Sequence, residues 1–433
     1  MKDKLQSIIE RYNMKKQRRK LIRRGIVCLT LLSGIFMAYL LLLPAITMGR
    51  ETENEDEPGT GVLVASGTCG TDVVWELNGD GILTISGSGS MTNYNNGSSV
   101  PWYNYINEIT TVVIEENVTS IGNLAFFMCS SLKDIIIPDS VTSIGNSAFQ
   151  SCVNLSSITI PNGVTSIDGW AFNNCVSLSN ITIPASVTDI GYSAFSQCVN
   201  LSSVTISSGV TSIKNRVFYG CSSLESITIP DGVTSIGDSA FERCSGLRNI
   251  IIPNSVTGIE RSAFAGCSGL RNITIPNSIT RIGSNAFQDC SNLRKIIIPD
   301  GVTSISDNVF YQCSGLQSVT IPSGVTSIGT NAFYRCINLR DITIPTGITS
   351  IGSGAFTNCS SLNSITIPAS VTSIGNSAFL NCYGVSSITI NSGSAMIGID
   401  VFSGCYSLST VSIGKEINTL PAEILKEVDF KKY

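Results

Sequence analysis

A cysteine returns every 23 residues, thirteen times without a slip, from Cys129 through Cys152 and Cys175 to Cys405. Three residues before each stands a phenylalanine, Phe126 to Phe402, and three after each a leucine, with Val385 the exception. Five residues beyond that place an isoleucine follows in every case, Ile137 to Ile413. Self-similarity at a fixed period of this size marks a chain that stacks one small unit on the next. A chain of 433 residues would ordinarily divide into separate domains, but an array grows without dividing.

One unit reads Leu155-Ser-Ser-Ile158-Thr-Ile160-Pro161-Asn-Gly-Val164-Thr-Ser-Ile167-Asp-Gly-Trp-Ala171-Phe172-Asn-Asn-Cys175. Ile158 and Ile160 alternate with Thr159, which predicts a short strand with one inward face. Pro161 ends it, because proline has no N–H for a ladder; ten of thirteen units carry proline there, with Ser207, Asn391 and Gly414 in the others. Val164 and Ile167 form a second inward pair, and Ala171, Phe172 and Cys175 suit a single helical or 3₁₀ turn. A lone coil buries nothing, so its neighbours must supply the core. Ile109, Val112 and Ile114 open the first coil. Leu408, Val411, Ile413, Ile417 and Leu420 open the last, with Leu425 at the phenylalanine place and Val428 at the cysteine place. The expectation is a solenoid of about fourteen coils over residues 109–430, closed by a helix from about 421. At about 4.8 Å per strand it would be about 65 Å long. After the second isoleucine, glycine stands in nine coils, whereas Asp168, Lys214, Glu260 and Ser306 replace it in alternate ones.

Ahead of the array, Val73-Val-Trp75-Glu-Leu77 and Ile82-Leu-Thr-Ile85 flank Asn78-Gly-Asp-Gly81, a hairpin signal. Residues 61–108 therefore read as a β cap over an end that would otherwise expose apolar surface and strand edge. Residues 1–24 carry ten Lys/Arg against Asp3 and Glu10, about +8, so the rest of the chain carries −4 − 8 = −12. Residues 25–48 hold no charge, and 24 helical residues span about 36 Å, enough to cross a bilayer core of about 30 Å. The acidic run Glu51 to Glu57 follows, within a linker at 49–60. Basic before and acidic after places 1–24 in the cytoplasm. The favoured reading is a single uncleaved transmembrane signal-anchor at 25–48; a cleaved signal peptide is the alternative. Under both, the repeats are exported.

The pattern Leu-x-x-Ile-x-Ile-Pro-x-x-Val-Thr-x-Ile-Gly-x-x-Ala-Phe-x-x-Cys closely resembles the BspA-type leucine-rich repeat, over about three quarters of the chain. The place of the usual leucine-rich-repeat asparagine holds Gly or Ser (Ser140, Gly163, Ser186, Gly209), as in that variant. The resemblance implies an α/β leucine-rich-repeat solenoid, mostly β, with parallel strands. It also implies a bacterial surface protein with a role in adhesion to host matrix or other cells; together with the segment at 25–48, this makes a single-pass protein of the cell membrane with extracellular repeats.

The chain has no histidine. That removes Ser-His-Asp and Cys-His catalysis and Cys₂His₂ zinc sites. Metal clusters of the Cys-x₂-Cys type are missing, no phosphate loop or nucleophile elbow occurs, and carboxylates recur at no fixed spacing. No cofactor, no metal and no enzyme activity is expected. A net charge of −4 argues against nucleic-acid binding. The cysteine row reads as buried thiols, although stacked coils would bring neighbours within disulfide range; Cys69 lies outside the row. Two outward columns are candidate binding residues. One is Thr159, Thr182, Thr205, Thr228, Thr274, Thr320, Thr343, Thr366 and Thr389, interrupted by Ile136, Ile251, Ile297 and Ser412. It is suited to a protein or glycan partner, or alternatively reflects the preference of threonine for strands. The other is Arg248, Arg271 and Arg294, rejoined by Arg340, suited to an anionic ligand or alternatively neutralised by Glu242, Glu260 and Asp289. The aromatics Tyr94, Trp102, Tyr103 and Tyr105 read either as a sugar-binding cluster or as packing of the cap. The leading expectation is an extracellular adhesion protein; a rigid spacer or envelope component is the alternative.

Overall fold

The computed structural model describes residues 61–392 and 395–413. The expected tail at 1–24, membrane segment at 25–48, linker at 49–60 and closing helix from 421 lie outside the described residues. Among the described residues no helix is long and apolar enough to cross a membrane.

Each coil runs through two short strands and a string of turns. First strands pair in parallel with their neighbours, so that Asn180–Ile183, Ser203–Ile206, Ser226–Thr228, Asn249–Ile251 and Asn272–Thr274 form one five-stranded sheet. Second strands pair likewise, with Ser304–Ile305, Ser327–Ile328, Ser350–Ile351, Ser373–Ile374 and Met396–Ile397 in another. Register is locked at 23 residues: Ile181 faces Val204 and Thr182 faces Thr205. Residues 157–160 carry no strand, although Ile158 and Ile160 are still buried. The described solenoid has thirteen complete coils, and of the last expected coil residues 408–413, with the strand Thr410–Ile413, lie within the described residues.

The interior is one continuous core of stacked columns. From Phe126 to Phe402 every phenylalanine ring lies over the next, with centroids 5.1–5.8 Å apart and planes within 20°, the offset stack that aromatic quadrupoles favour.

The expected α/β class narrows to mostly β. The helices among the described residues are two 3₁₀ turns, Gly97–Ser99 and Tyr103–Tyr105, both ahead of the array. The segment around Phe172 and Cys175 makes no helix because its hydrogen bonds alternate in direction. Ala171, Asn173 and Cys175 donate three residues back within the coil, while Trp170, Phe172 and Asn174 donate to the next coil. That alternation requires two left-handed residues per coil, here Trp170 (φ 53) and Asn174 (φ 60), and every coil repeats the pair. Glycine fills only four of these places, Gly220, Gly266, Gly354 and Gly404; elsewhere inter-coil bonding holds ordinary residues in a conformation they otherwise avoid.

Before the array, three antiparallel strands, β1 (Leu63–Thr68), β2 (Val73–Asn78) and β3 (Ile82–Gly87), form a meander. It joins both sheets of the solenoid. β3 pairs in parallel with the first repeat strand Thr111–Ile114, and Gly89–Ser90 with Val118–Ile121. Trp102 takes the phenylalanine place ahead of Phe126, stacked at 5.7 Å, and its indole N–H donates to the Ala125 carbonyl at 2.9 Å. Trp75 meets Trp102 edge-on. Of the four aromatics named as a sugar-binding alternative, Trp102 and Tyr94 are therefore packing residues, buried against the first coil.

Candidate binding face

Two threonine columns run the length of the solenoid, and their hydroxyls do different things. On the second strands threonine stands in twelve successive coils, Thr119 to Thr372. In eight of them the hydroxyl donates to the carbonyl one coil back, as Thr142 to Thr119 at 3.0 Å, Thr349 to Thr326 at 3.1 Å and Thr372 to Thr349 at 3.0 Å. This column is as regular as the cysteines, but strand propensity alone accounts for threonine there, and sequence reading did not single it out. On the first strands lie the predicted threonines. Thr182, Thr205 and Thr228 stand in register, as do Thr366 and Thr389. Thr159 and Thr343 fall outside assigned strands but are exposed, as are Thr274 and Thr320, whereas Thr389 is half-buried. None of these nine hydroxyls bonds to another described residue, so the column presents donors and acceptors outward.

The outward column breaks where the basic one begins. Ile251 (75% exposed) and Ile297 (56%) replace threonine, each in a coil whose preceding residues carry Arg248 or Arg294. All four candidate arginines are exposed. The backbone N–H of Arg271 donates to the carbonyl of Arg248, so their side chains leave the sheet one strand spacing apart. Arg248 is paired with Glu225, one coil back, at 3.6 Å. Arg271, Arg294 and Arg340 have no ion pair among the described residues. Glu242, Glu260 and Asp289 do not neutralise this column. Glu242 lies 4.0 Å from Arg243, Glu260 pairs with Arg281, and Asp289 accepts from the Gln288 and Gln312 amides. Neighbouring like charges repel, so the column holds a positive field beside exposed isoleucine.

The cysteine row offers no chemistry to this face. The thiols from Cys129 to Cys382 are unpaired and fully buried, and Cys69, outside the row, is also free and buried. Each thiol from Cys152 onward donates to the phenylalanine carbonyl of the preceding coil, as Cys152 to Phe126 at 3.1 Å and Cys244 to Phe218 at 3.1 Å. Burial pushes Cys129, Cys198 and Cys359 from the ordinary thiol value of 9.0 to about 12. A thiol held protonated is neither a nucleophile nor a metal ligand. At the usual asparagine place Ser140 and Ser255 donate to the carbonyls of Val118 and Val233, whereas the buried Ser186 hydroxyl finds no partner among the described residues.

The model of the BspA type leucine rich repeat region matches residues 101–225, 211–340 and 303–431. The chain belongs to the BspA-type leucine-rich repeat family. Among solved structures, this BspA-type chain is similar to a leucine-rich repeat protein from Bacteroides ovatus, at 32% identity and TM-score 0.67, covering 78% of this chain and 92% of that one. A leucine-rich repeat protein from Eubacterium ventriosum matches at 26% identity and TM-score 0.52, covering 83% and 98%. A leucine rich cell surface protein from Faecalibacterium prausnitzii matches at 27% identity and TM-score 0.45, covering 84% and 97%. No curated protein matches.

Proposed function

We propose that this chain is a non-enzymatic cell-surface recognition protein. Its repeats face the outside, its membrane attachment is residues 25–48, and it binds a protein or glycan partner on host matrix or other cells through the first-strand face. The observation that carries this reading is the difference between the threonine columns. Eight of the twelve hydroxyls of the second-strand column are engaged by the preceding coil, whereas those of the first-strand column are left outward and bordered by Arg271, Arg294 and exposed isoleucine. A face repeated over thirteen coils favours many weak contacts acting together, and a preformed sheet loses little entropy on binding. The family supports the surface role, and the basic, apolar and acidic succession over residues 1–57 supports the topology.

The test has two arms. Protease added to intact cells producing the full chain should cleave within the repeats; a chain left whole overturns the topology. The full chain should also bind saturably to at least one of a panel of matrix proteins, glycans and whole bacterial cells, more weakly when Arg248, Arg271 and Arg294 are changed to alanine. Unchanged binding by that variant removes the basic column from the site. No binding at all, from a folded sample, points to a spacer.

A further inference from the structure

Through the middle of the array the residue after the second isoleucine alternates between a long side chain and glycine: Asp168, Gly191, Lys214, Gly237, Glu260, Gly283. Close stacking holds these glycines, as it holds the unalternating run Gly329, Gly352, Gly375 and Gly398. A Cβ on Gly191 would lie 2.2 Å from the Gly169 nitrogen, and one on Gly237 would lie 2.8 Å from the Asn215 nitrogen. Backbone this close excludes any side chain at these glycines, and at Gly237 a pit is left between Lys214, one coil before, and Glu260, one coil after. At Gly237 that pit is a cavity of about 450 Å³, lined by Lys214, Asn215, Ser212, Ser235 and Glu260, with Tyr192 at one end. Tyr192 is 45% exposed and Trp170 beside it 38%, their rings meeting edge to face at 4.3 Å. Tyr192 packs over Gly169, where a Cβ would lie 3.0 Å from its ring, yet nearly half of its surface stays open at the end of this polar cavity.

The charges at the pit are already answered. Lys214 pairs with Asp189 at 2.5 Å, and Glu260 pairs with Arg281. An anion entering would face Glu260, and a cation would face Lys214. A neutral ligand with several hydroxyls meets neither penalty. It can accept from the ammonium, the amide and the serines, donate to the carboxylate, and rest an apolar C–H face on tyrosine. From the coil of Tyr192 to that of Glu260 is three strand spacings, about 14 Å, longer than a single sugar ring.

We propose that the pit at Gly237, walled by Lys214 and Glu260 and flanked by Tyr192 and Trp170, binds a neutral oligosaccharide. It lies beside the second strands, away from the first-strand face, and stands or falls separately from the function proposed above.

The chain carries its own reporter. Of its three tryptophans, Trp75 and Trp102 are buried and Trp170 is exposed. The full chain is titrated with cellotetraose, chitotetraose and mannotetraose while tryptophan fluorescence and its quenching by acrylamide are followed. At least one should give a saturable change and shield Trp170. Tyr192→Ala and Lys214→Gly should each weaken that binding ten-fold or more. Lys214→Gly introduces the residue that nine other coils carry, so the fold is retained, and a circular-dichroism melt checks it. Arg271→Ala, on the other face, should leave the titration unchanged. Silence with all three sugars overturns the proposal, as does equal affinity in both variants. Tighter binding of an oligogalacturonate than of any neutral sugar overturns the ligand class.

Discussion

The two threonine columns share a residue and a spacing, and they differ in one respect, where the hydroxyl goes. In the second-strand column threonine persists through twelve coils, and in eight of them its hydroxyl bonds to the backbone one coil back. In the first-strand column it bonds to nothing in the described protein, and isoleucine intrudes at 251 and 297. Regularity tracks internal use: a position whose atoms hold the next coil in place admits no change, whereas one that serves the outside drifts. The phenylalanine and cysteine columns are the extreme of the first kind, the arginine column and the Gly237 pit of the second.

The largest test of that contrast is alkaline pH. A thiol whose folded value lies above its ordinary one holds its proton more tightly in the fold. Its stabilisation is complete below about pH 9 and is lost as pH rises toward the folded value, here about 12 for Cys129, Cys198 and Cys359. Each buried thiol can steepen the loss by about 1.4 kcal/mol per pH unit, and twelve, Cys129 to Cys382, are buried in one array. Thermal melts should be level up to about pH 8.5 and collapse above it, and changing Cys244 and Cys267 to alanine should remove about two protons from the slope. A melting temperature that stays level to pH 11 breaks the picture of a buried, protonated row. Next in size is Phe241→Ala, expected to lose about 3–5 kcal/mol in chemical denaturation, because it opens a hole in a column that cannot collapse past its neighbours. A loss below 1 kcal/mol would mean that the stack is not core.

How far the sequence disclosed all this varies with burial. Phe172, Cys175, Ile158 and Ile160 were legible because burial leaves few permitted residues, and a 23-residue period repeats that restriction thirteen times. The left-handed pairs were not, since Leu124, Trp170, Arg216 and Asp289 share no chemistry; inter-coil hydrogen bonds impose φ > 0 on whatever stands there. The expected helical turn failed for the same reason. The candidate face was half legible. Threonine and arginine columns follow from spacing, but whether Thr142 or Thr182 keeps a free hydroxyl depends on a carbonyl one coil away. The pairing of Arg248 with Glu225 likewise needed coordinates, and it leaves Arg271, Arg294 and Arg340 as the cations of the column without an ion pair among the described residues.

A sharper test follows from changing the two threonine columns in parallel. Replacing Thr326, Thr349 and Thr372 by valine keeps shape and strand preference but removes three inter-coil hydrogen bonds, each exposed and worth about 0.5 kcal/mol, for a loss of about 1.5 kcal/mol. The same change at Thr182, Thr205 and Thr228 removes no bond within the protein and should leave stability within about 0.5 kcal/mol. Urea denaturation of the two triple variants decides it, and equal losses would dissolve the distinction between the columns.

The smallest expected effect bears most directly on function. Arg271→Ala takes away one exposed cation that no carboxylate balances, so folding stability should stay within about 0.5 kcal/mol of the parent. Whatever partner occupies the first-strand face should bind two- to five-fold more weakly, the worth of about 0.5–1 kcal/mol for an exposed charge contact. The deficit should shrink as salt rises, because exposed charges are screened over about 8 Å at physiological ionic strength. Arg248→Ala makes the internal control. Its guanidinium already faces Glu225, so removing it also frees a carboxylate on the same face, and its effect should exceed that of Arg271→Ala. If the two arginines prove equivalent, the Glu225 pairing does not shape the field that a partner meets, and the contrast between engaged and outward side chains stops at the threonines.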